Sequence, residues 1–175
     1  MSKLCIGMFG TCGNTTWRKE MFIPAYEQNG LVNGVDFFNP QVDDWKPELA
    51  QIEAEHLAED SILLLPVTKE TYGTGSLAET GFSILQALKF DDRRDLVILI
   101  DETLEDSLMA DKVQAKESLR ARALVKQHLK KLAYTNLYVV DTLEEMRDLS
   151  IKIYQSQKIL KDFQNKYNPH KRFAK

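Results

Sequence analysis

Ser61-Ile62-Leu63-Leu64-Leu65-Pro66-Val67, followed after a short gap by Thr71-Tyr72-Gly73-Thr74-Gly75-Ser76-Leu77-Ala78-Glu79, is the stretch whose reading decides the fold. Its first part is short and apolar almost throughout, with no alternation of polar and apolar positions. A strand covered on both faces has this pattern. Its second part is a Gly/Thr/Ser turn that runs into a helix, with Glu79 three residues after Ser76 in the spacing of a capping box. This is a strand–turn–helix unit, and its strand is the most apolar in the chain, so it is expected at the sheet centre.

The same alternation extends in both directions. Residues 3–9 form a short apolar run closed by a Gly-rich loop. Thr15 or Thr16 is placed to cap a helix from about 17 to 28, which Asn29-Gly30 ends. Residues 35–38 read as a second strand closed by Asn39-Pro40. Pro47 suits the first turn of a helix over 47–59, because proline lacks the amide hydrogen that a first turn leaves unused. After the central strand comes a helix over 76–89. Residues 95–101 form another fully apolar strand, and a polar helix covers about 106–132. A fifth strand spans 136–140 and a last helix 142–167. The expected fold is therefore α/β: a five-stranded parallel sheet with helices on both faces, flavodoxin-like or Rossmann-like. One domain over 1–175 is expected, with 142–175 as a C-terminal helix and short tail.

Composition narrows the function. The chain has 175 residues, 43% hydrophobic and 28% charged, with 2 Cys and a net charge of -3. This is a globular composition, neither disordered nor disulfide-framed. A mildly acidic balance gives no long-range attraction to nucleic-acid polymer or anionic lipid. The basic tail, residues 170–175, reads as a solvated terminus. The N-terminus reads as a strand rather than a signal peptide, and no apolar run approaches a membrane span. A soluble cytoplasmic protein with free thiols is expected.

In doubly wound sheets ligands bind beyond the carboxyl ends of the strands, so chemistry is sought in three loops. The first is Phe9-Gly10-Thr11-Cys12-Gly13-Asn14-Thr15-Thr16-Trp17-Arg18. Glycines allow close backbone approach, and Thr11, Asn14 and the following helix start offer donors. It is neither a dinucleotide fingerprint nor a Walker motif. Arg18 suits a phosphate or a surface acid, and the surface reading is favoured. Cys12 at a helix start has a local setting that favours a thiolate, but no His partner is visible. The second loop is Phe37-Phe38-Asn39-Pro40-Gln41-Val42-Asp43-Asp44-Trp45. Asn39 can read a nucleobase edge and Trp45 offers a stacking face. In the third loop Gly73, Thr74 and Ser76 suit a phosphate or a sugar hydroxyl. Glu79, in the first helical turn, is either a capping partner or a carboxylate ready to act at an oxocarbenium-like centre. Glu53, on the Leu49, Ile52 and His56 side of its helix, is the best second acid. His56 reads as a partly buried surface residue. No His/Cys/Asp spacing suggests a metal site.

Taken together, Gly10 to Arg18, Phe37-Phe38-Asn39-Pro40 with Asp44-Trp45, and Ser76-Leu77-Ala78-Glu79 resemble the nucleoside 2-deoxyribosyltransferase-like family over roughly the first 100 residues. The resemblance implies cleavage of the N-glycosidic bond of 2'-deoxynucleosides or their 5'-monophosphates, by hydrolysis or by base exchange. It places the nucleophile on Glu79 and the assisting acid on Glu53, where the family usually has Asp. Gly10, Thr11, Asn14, Trp17, Asn39, Trp45, Gly73, Thr74 and Ser76 would then bind the substrate. The Gly73 to Glu79 string is also similar to a motif of cytokinin-activating phosphoribohydrolases, which break the same kind of bond. No metal or redox cofactor is called for, since two carboxylates suffice. Family members are commonly oligomeric, which implies a homo-oligomer. Ile153, Tyr154, Leu160 and Phe163 fit either an oligomer surface or packing on the chain's own sheet. The rival functions are a non-catalytic nucleotide-binding or sensing module on the same fold and, third, a flavodoxin-like electron carrier.

Overall fold

The computed structural model describes residues 3–168 apart from 13, 43, 45 and 91–93, with backbone alone at 82 and 84–90. The expectations for Gly13, for Trp45 and for the basic tail lie outside the described residues.

Five strands, β1 Lys3–Met8, β2 Phe37–Phe38, β3 Asp60–Val67, β4 Asp95–Ile100 and β5 Leu137–Val139, form one sheet in the order β2-β1-β3-β4-β5. Every neighbouring pair is parallel. This is the flavodoxin-like order, whose switch point lies between β1 and β3. The helices are α1 Ile23–Gln28, α2 Pro47–Glu59, α3 Thr74–Phe90, α4 Lys112–Leu129 and α5 Leu143–Tyr167.

The period of two along a strand sorts the core into two layers. Ile62, Leu64, Val97 and Leu99 face one side, with Phe22 and Tyr26 from the first helical segment and Met146, Ile153 and Tyr154 from α5. Leu63, Leu65, Val67, Leu96, Ile98 and Ile100 face the other, against Leu57, Leu77 and Leu129 from α2, α3 and α4. All eight residues of β3 are buried, which is why its sequence shows no alternation. α5 is tied to early parts of the chain by polar contacts. Tyr26 Oη lies 2.7 Å from Ser150 Oγ, Ser61 Oγ donates to Gln157 at 2.7 Å, and Tyr154 Oη donates to Asp36.

Four starts differ from expectation: β2 begins at Phe37 rather than 35, α4 begins at Lys112 rather than about 106, behind an Asp111 cap, and the first helix and α3 also depart. The first helix opens as a π-helical turn, Arg18–Phe22, and no side chain caps it. Thr15 and Thr16 instead donate to Thr11 O and Glu20. Pro24 cannot donate to the carbonyl of Glu20, and its ring crowds that carbonyl, so the preceding turn widens. α3 begins at Thr74 rather than Ser76. Ser76 is therefore inside the helix and no capping box forms. Glu79 sits in the second turn.

α5 divides the apolar residues noted in its sequence. Ile153 and Tyr154 are buried on the sheet, whereas Ile159, Leu160, Phe163 and Tyr167 are more than half exposed. No helix among the described residues is long and apolar enough to cross a membrane.

Candidate active site

The site is built where β1 and β3 end. Gly10 has φ +91°, and a Cβ there would stand 2.5 Å from the Pro66 carbonyl. Only glycine permits both the left-handed conformation and this approach. Thr11 then donates its amide to Pro66 O at 2.9 Å, and its Oγ1 lies 2.8 Å from Thr68 Oγ1. Both loops of the switch point are thereby locked together.

Two buried arginines organise the carbonyls at these strand ends. Arg18 Nε donates to Met8 O at 2.9 Å, Nη1 to Thr11 O at 2.8 Å, and Nη2 to Phe9 O and Gly10 O at 3.0 and 3.3 Å. Trp17 donates from Nε1 to Thr11 O, and the Arg18 guanidinium lies 4.1 Å from its ring centroid. Arg122 on α4 does the same for the third loop: Nη1 donates to Val67 O and Asp101 O, and Nη2 to Thr68 O and Thr71 O. Both guanidinium groups are essentially inaccessible to solvent. Buried polar groups must be hydrogen-bonded, and here each arginine satisfies carbonyls that a bare loop would leave unpaired.

These facts correct three sequence readings. Arg18 is not a surface residue; it is structural cement beneath the first loop. Trp17 and Thr11, expected to touch a ligand, are 5% and 1% exposed and spend their polar atoms inside the loop. Cys12 is at the rim, but its Sγ turns to Gly10 O. Desolvation, with the negative charges of Glu79 and Glu53, pushes its thiol up despite Arg18, so the thiolate is not the favoured form.

Glu79 is half-buried. The Gly10 amide, Glu53 and Arg18 all act on its carboxylate electrostatically. Burial pushes its carboxyl above the ordinary value, Glu53 adds to the rise, and the Gly10 amide and Arg18 oppose it. The structure thus brings Glu79 and Glu53 into mutual influence, from α3 and α2 on one side of the sheet, beside Gly10, Cys12 and Arg18. Thr74 is exposed at the start of α3 and Asn14 is exposed on the first loop, whereas Ser76 is buried. Gly73 has φ +67°, and a Cβ there would meet Val67 Cγ1 at 2.6 Å. Asn39 Oδ1 accepts from the Gln41 amide in an Asx turn, and Gln41 Nε2 reaches Thr15 O, so the second loop closes on the first.

Sequence reasoning missed the burial of Arg18, Arg122 and Asp60. The Arg122 signal was faint: Arg122 belongs to a polar helix, and only the run Ala115, Ser118, Arg122, Leu129 of buried positions marks its inner face. Asp60 carries no local sign beyond opening the apolar strand. Together with Cys5 and His56 it forms a three-donor cluster in space. That cluster lies at the amino ends of the strands, away from Glu79. No family model matches this chain, and no curated protein and no solved structure shows a significant match to it.

Proposed function

We propose that the chain breaks the N-glycosidic bond of a nucleoside or nucleotide, with Glu79 as nucleophile and Glu53 as the assisting acid, which orients Glu79 or supplies a proton to the base directly or through water. The observation that supports this reading is the convergence of two acids at the switch point, Glu79 from α3 and Glu53 from α2, with the Gly10 amide and Arg18 favouring the ionised form of Glu79 against its burial. Two carboxyl groups with divided roles are the minimum equipment for cleavage through an oxocarbenium-like state.

In this reading the Glu79 carboxylate attacks C1' as the bond to the base nitrogen breaks. The electron pair goes to the base, which takes a proton from Glu53. Water, or a second base, then attacks C1' of the glycosyl ester, gives its proton to the Glu53 carboxylate and frees Glu79. Thr74 and Asn14, both exposed, are proposed for a phosphate or sugar hydroxyl, and Asn39 and Trp45 for the base. The deoxyribose preference rests on the family resemblance alone. Assembly into a homo-oligomer through the exposed end of α5, and a cytoplasmic location suited to the two free cysteines, belong to the same proposal.

The test is chromatographic. The protein is incubated with 2'-deoxynucleosides, ribonucleosides and their 5'-monophosphates, with and without a second free base, beside Glu79→Ala. Free base that disappears in the variant supports an N-glycosidase, and a new nucleoside identifies a transferase. Folded protein that releases no base from any of them overturns the reading in favour of a non-catalytic nucleotide-binding module.

A further inference from the structure

At the opposite end of the sheet from Glu79, three side chains of different chemistry converge. Cys5 lies on β1, His56 in the last turn of α2, and Asp60 is the first residue of β3. One donor atom from each falls within 4.8 Å of the other two. His56 Nδ1 is 3.0 Å from both Asp60 carboxylate oxygens. Cys5 and Asp60 have no solvent exposure.

Topology explains the convergence. β1 and β3 are neighbours, with Lys3 opposite Asp60. His56 and Asp60 are four apart across the end of α2, hence on one face. Gly7, the next residue on the Cys5 side of β1, leaves room: a Cβ there would stand 2.9 Å from Asp60 Oδ2. The ring of Phe38 stacks on His56 at 3.7 Å and 2°, which fixes the imidazole plane.

We propose that Cys5, His56 and Asp60 are ligands for a borderline divalent cation of the zinc type, with a fourth position open to solvent. In a tetrahedral site with bonds of about 2.0–2.3 Å, neighbouring donors stand roughly 3.3–3.7 Å apart. The cluster needs only small adjustments to reach that spacing. Thiolate, carboxylate and neutral imidazole together carry two negative charges, so a divalent ion makes the buried set neutral. Without a metal, burial and Asp60 hold the Cys5 thiol protonated, and the donors point at one another. Metal entry sends the thiol proton to solvent, and the imidazole offers Nδ1 with its proton on Nε2. A cavity of about 110 Å³, lined by Lys3, Glu55, His56, Glu59 and Asp60, opens the site to solvent. Its two glutamates outnumber its one lysine, a balance that favours cation entry. Fixed ring orientation by a stacked neighbour is the sort of outer support that metal-binding histidines have. This inference is independent of the glycosidic reading.

The test uses the full chain in a Cys12→Ser background, so that Cys5 is the one thiol. After chelation, Co2+ is titrated in without oxygen. One equivalent is expected to give tetrahedral-intensity visible bands with a thiolate-to-cobalt charge-transfer band, which Zn2+ then bleaches. His56→Gln is expected to weaken binding at least about 100-fold, and Cys5→Ala to abolish the charge-transfer band. Zinc is also expected to raise the Tm of the unsubstituted protein relative to chelator. Folded protein without the charge-transfer band and without a zinc-dependent Tm overturns the proposal. Bands that persist unchanged in a folded His56→Gln variant overturn it equally.

Discussion

The backbone amide of Gly10 favours the ionised carboxylate of Glu79, so the turn that ends β1 also tunes an acid on α3. Gly10 can serve in this way because it is left-handed and lies against Pro66. Gly10→Ala is expected to cost about 2–4 kcal/mol, since backbone strain and a clash with a carbonyl add together. Gly34→Ala is the control. Its φ is +76° but a Cβ would meet nothing within 4 Å, so strain alone applies, about 1 kcal/mol. Urea unfolding of the two variants measures the difference.

Glu79→Gln separates catalysis from stability. Loss of the nucleophile is expected to lower base release at least about 10³-fold. Burial raises the folded carboxyl pKa above its ordinary 4.5, so the native state binds the proton more tightly than the unfolded state. Between 4.5 and the raised value, this group makes stability fall as pH increases. The neutral amide escapes that cost. The Tm of Glu79→Gln relative to the parent is therefore expected to be higher at pH 7 than at pH 4, by thermal melts at both.

Glu53→Gln tests the coupling between the acids. Glu53 raises the Glu79 carboxyl by like charge. Without it, the acid limb of the kcat/KM profile is expected to move to lower pH, because Glu79 ionises more easily. The maximal rate is expected to fall by about 10²–10⁴, the usual worth of a positioned acid–base group. A limb that stays in place would show that the acids do not communicate.

Arg18→Lys and Arg122→Lys test the two carbonyl clamps. One ammonium cannot follow the fork that a guanidinium makes to several carbonyls. Each variant is expected to lose about 3–5 kcal/mol, because buried acceptors are left unsatisfied. Hydrogen exchange is the finer probe. Arg18→Lys should loosen residues 9–17 first, and Arg122→Lys residues 68–73.

The architecture was readable because β3 and β4 are apolar throughout and helical segments fall between the strands. The central place of β3 was readable in the same way, whereas the full order β2-β1-β3-β4-β5 was not. The helix over 47–59 was legible to the residue, since Pro47 marks its start and Asp60 opens the strand. Local signals failed where tertiary partners decided the outcome. Ser76 and Glu79 have the spacing of a capping box, but α3 starts two residues earlier. Arg18 looks like any surface arginine until four carbonyls converge on it. His56 and Asp60 are four apart, but strand, loop and helix separate Cys5 from them, and no spacing rule links it to the pair. Glu79 was singled out by the turn chemistry around Ser76 and Glu53 by its place on the Leu49, Ile52 and His56 side of its helix, and the family resemblance joined the two.

The bonds from α5 back to Tyr26, Asp36 and Ser61 also set the order of events during synthesis. At about 5–20 residues per second, some 150 residues must follow β1 before the last helix can leave the ribosome, an interval of roughly 7–30 s. Through that time one face of β1 and β3, bearing Ile62 and Leu64, lacks the cover that α5 supplies. The nascent chain is thus a customer for a holding chaperone until its final turns emerge, and a stop codon before Tyr154 would leave that face permanently bare.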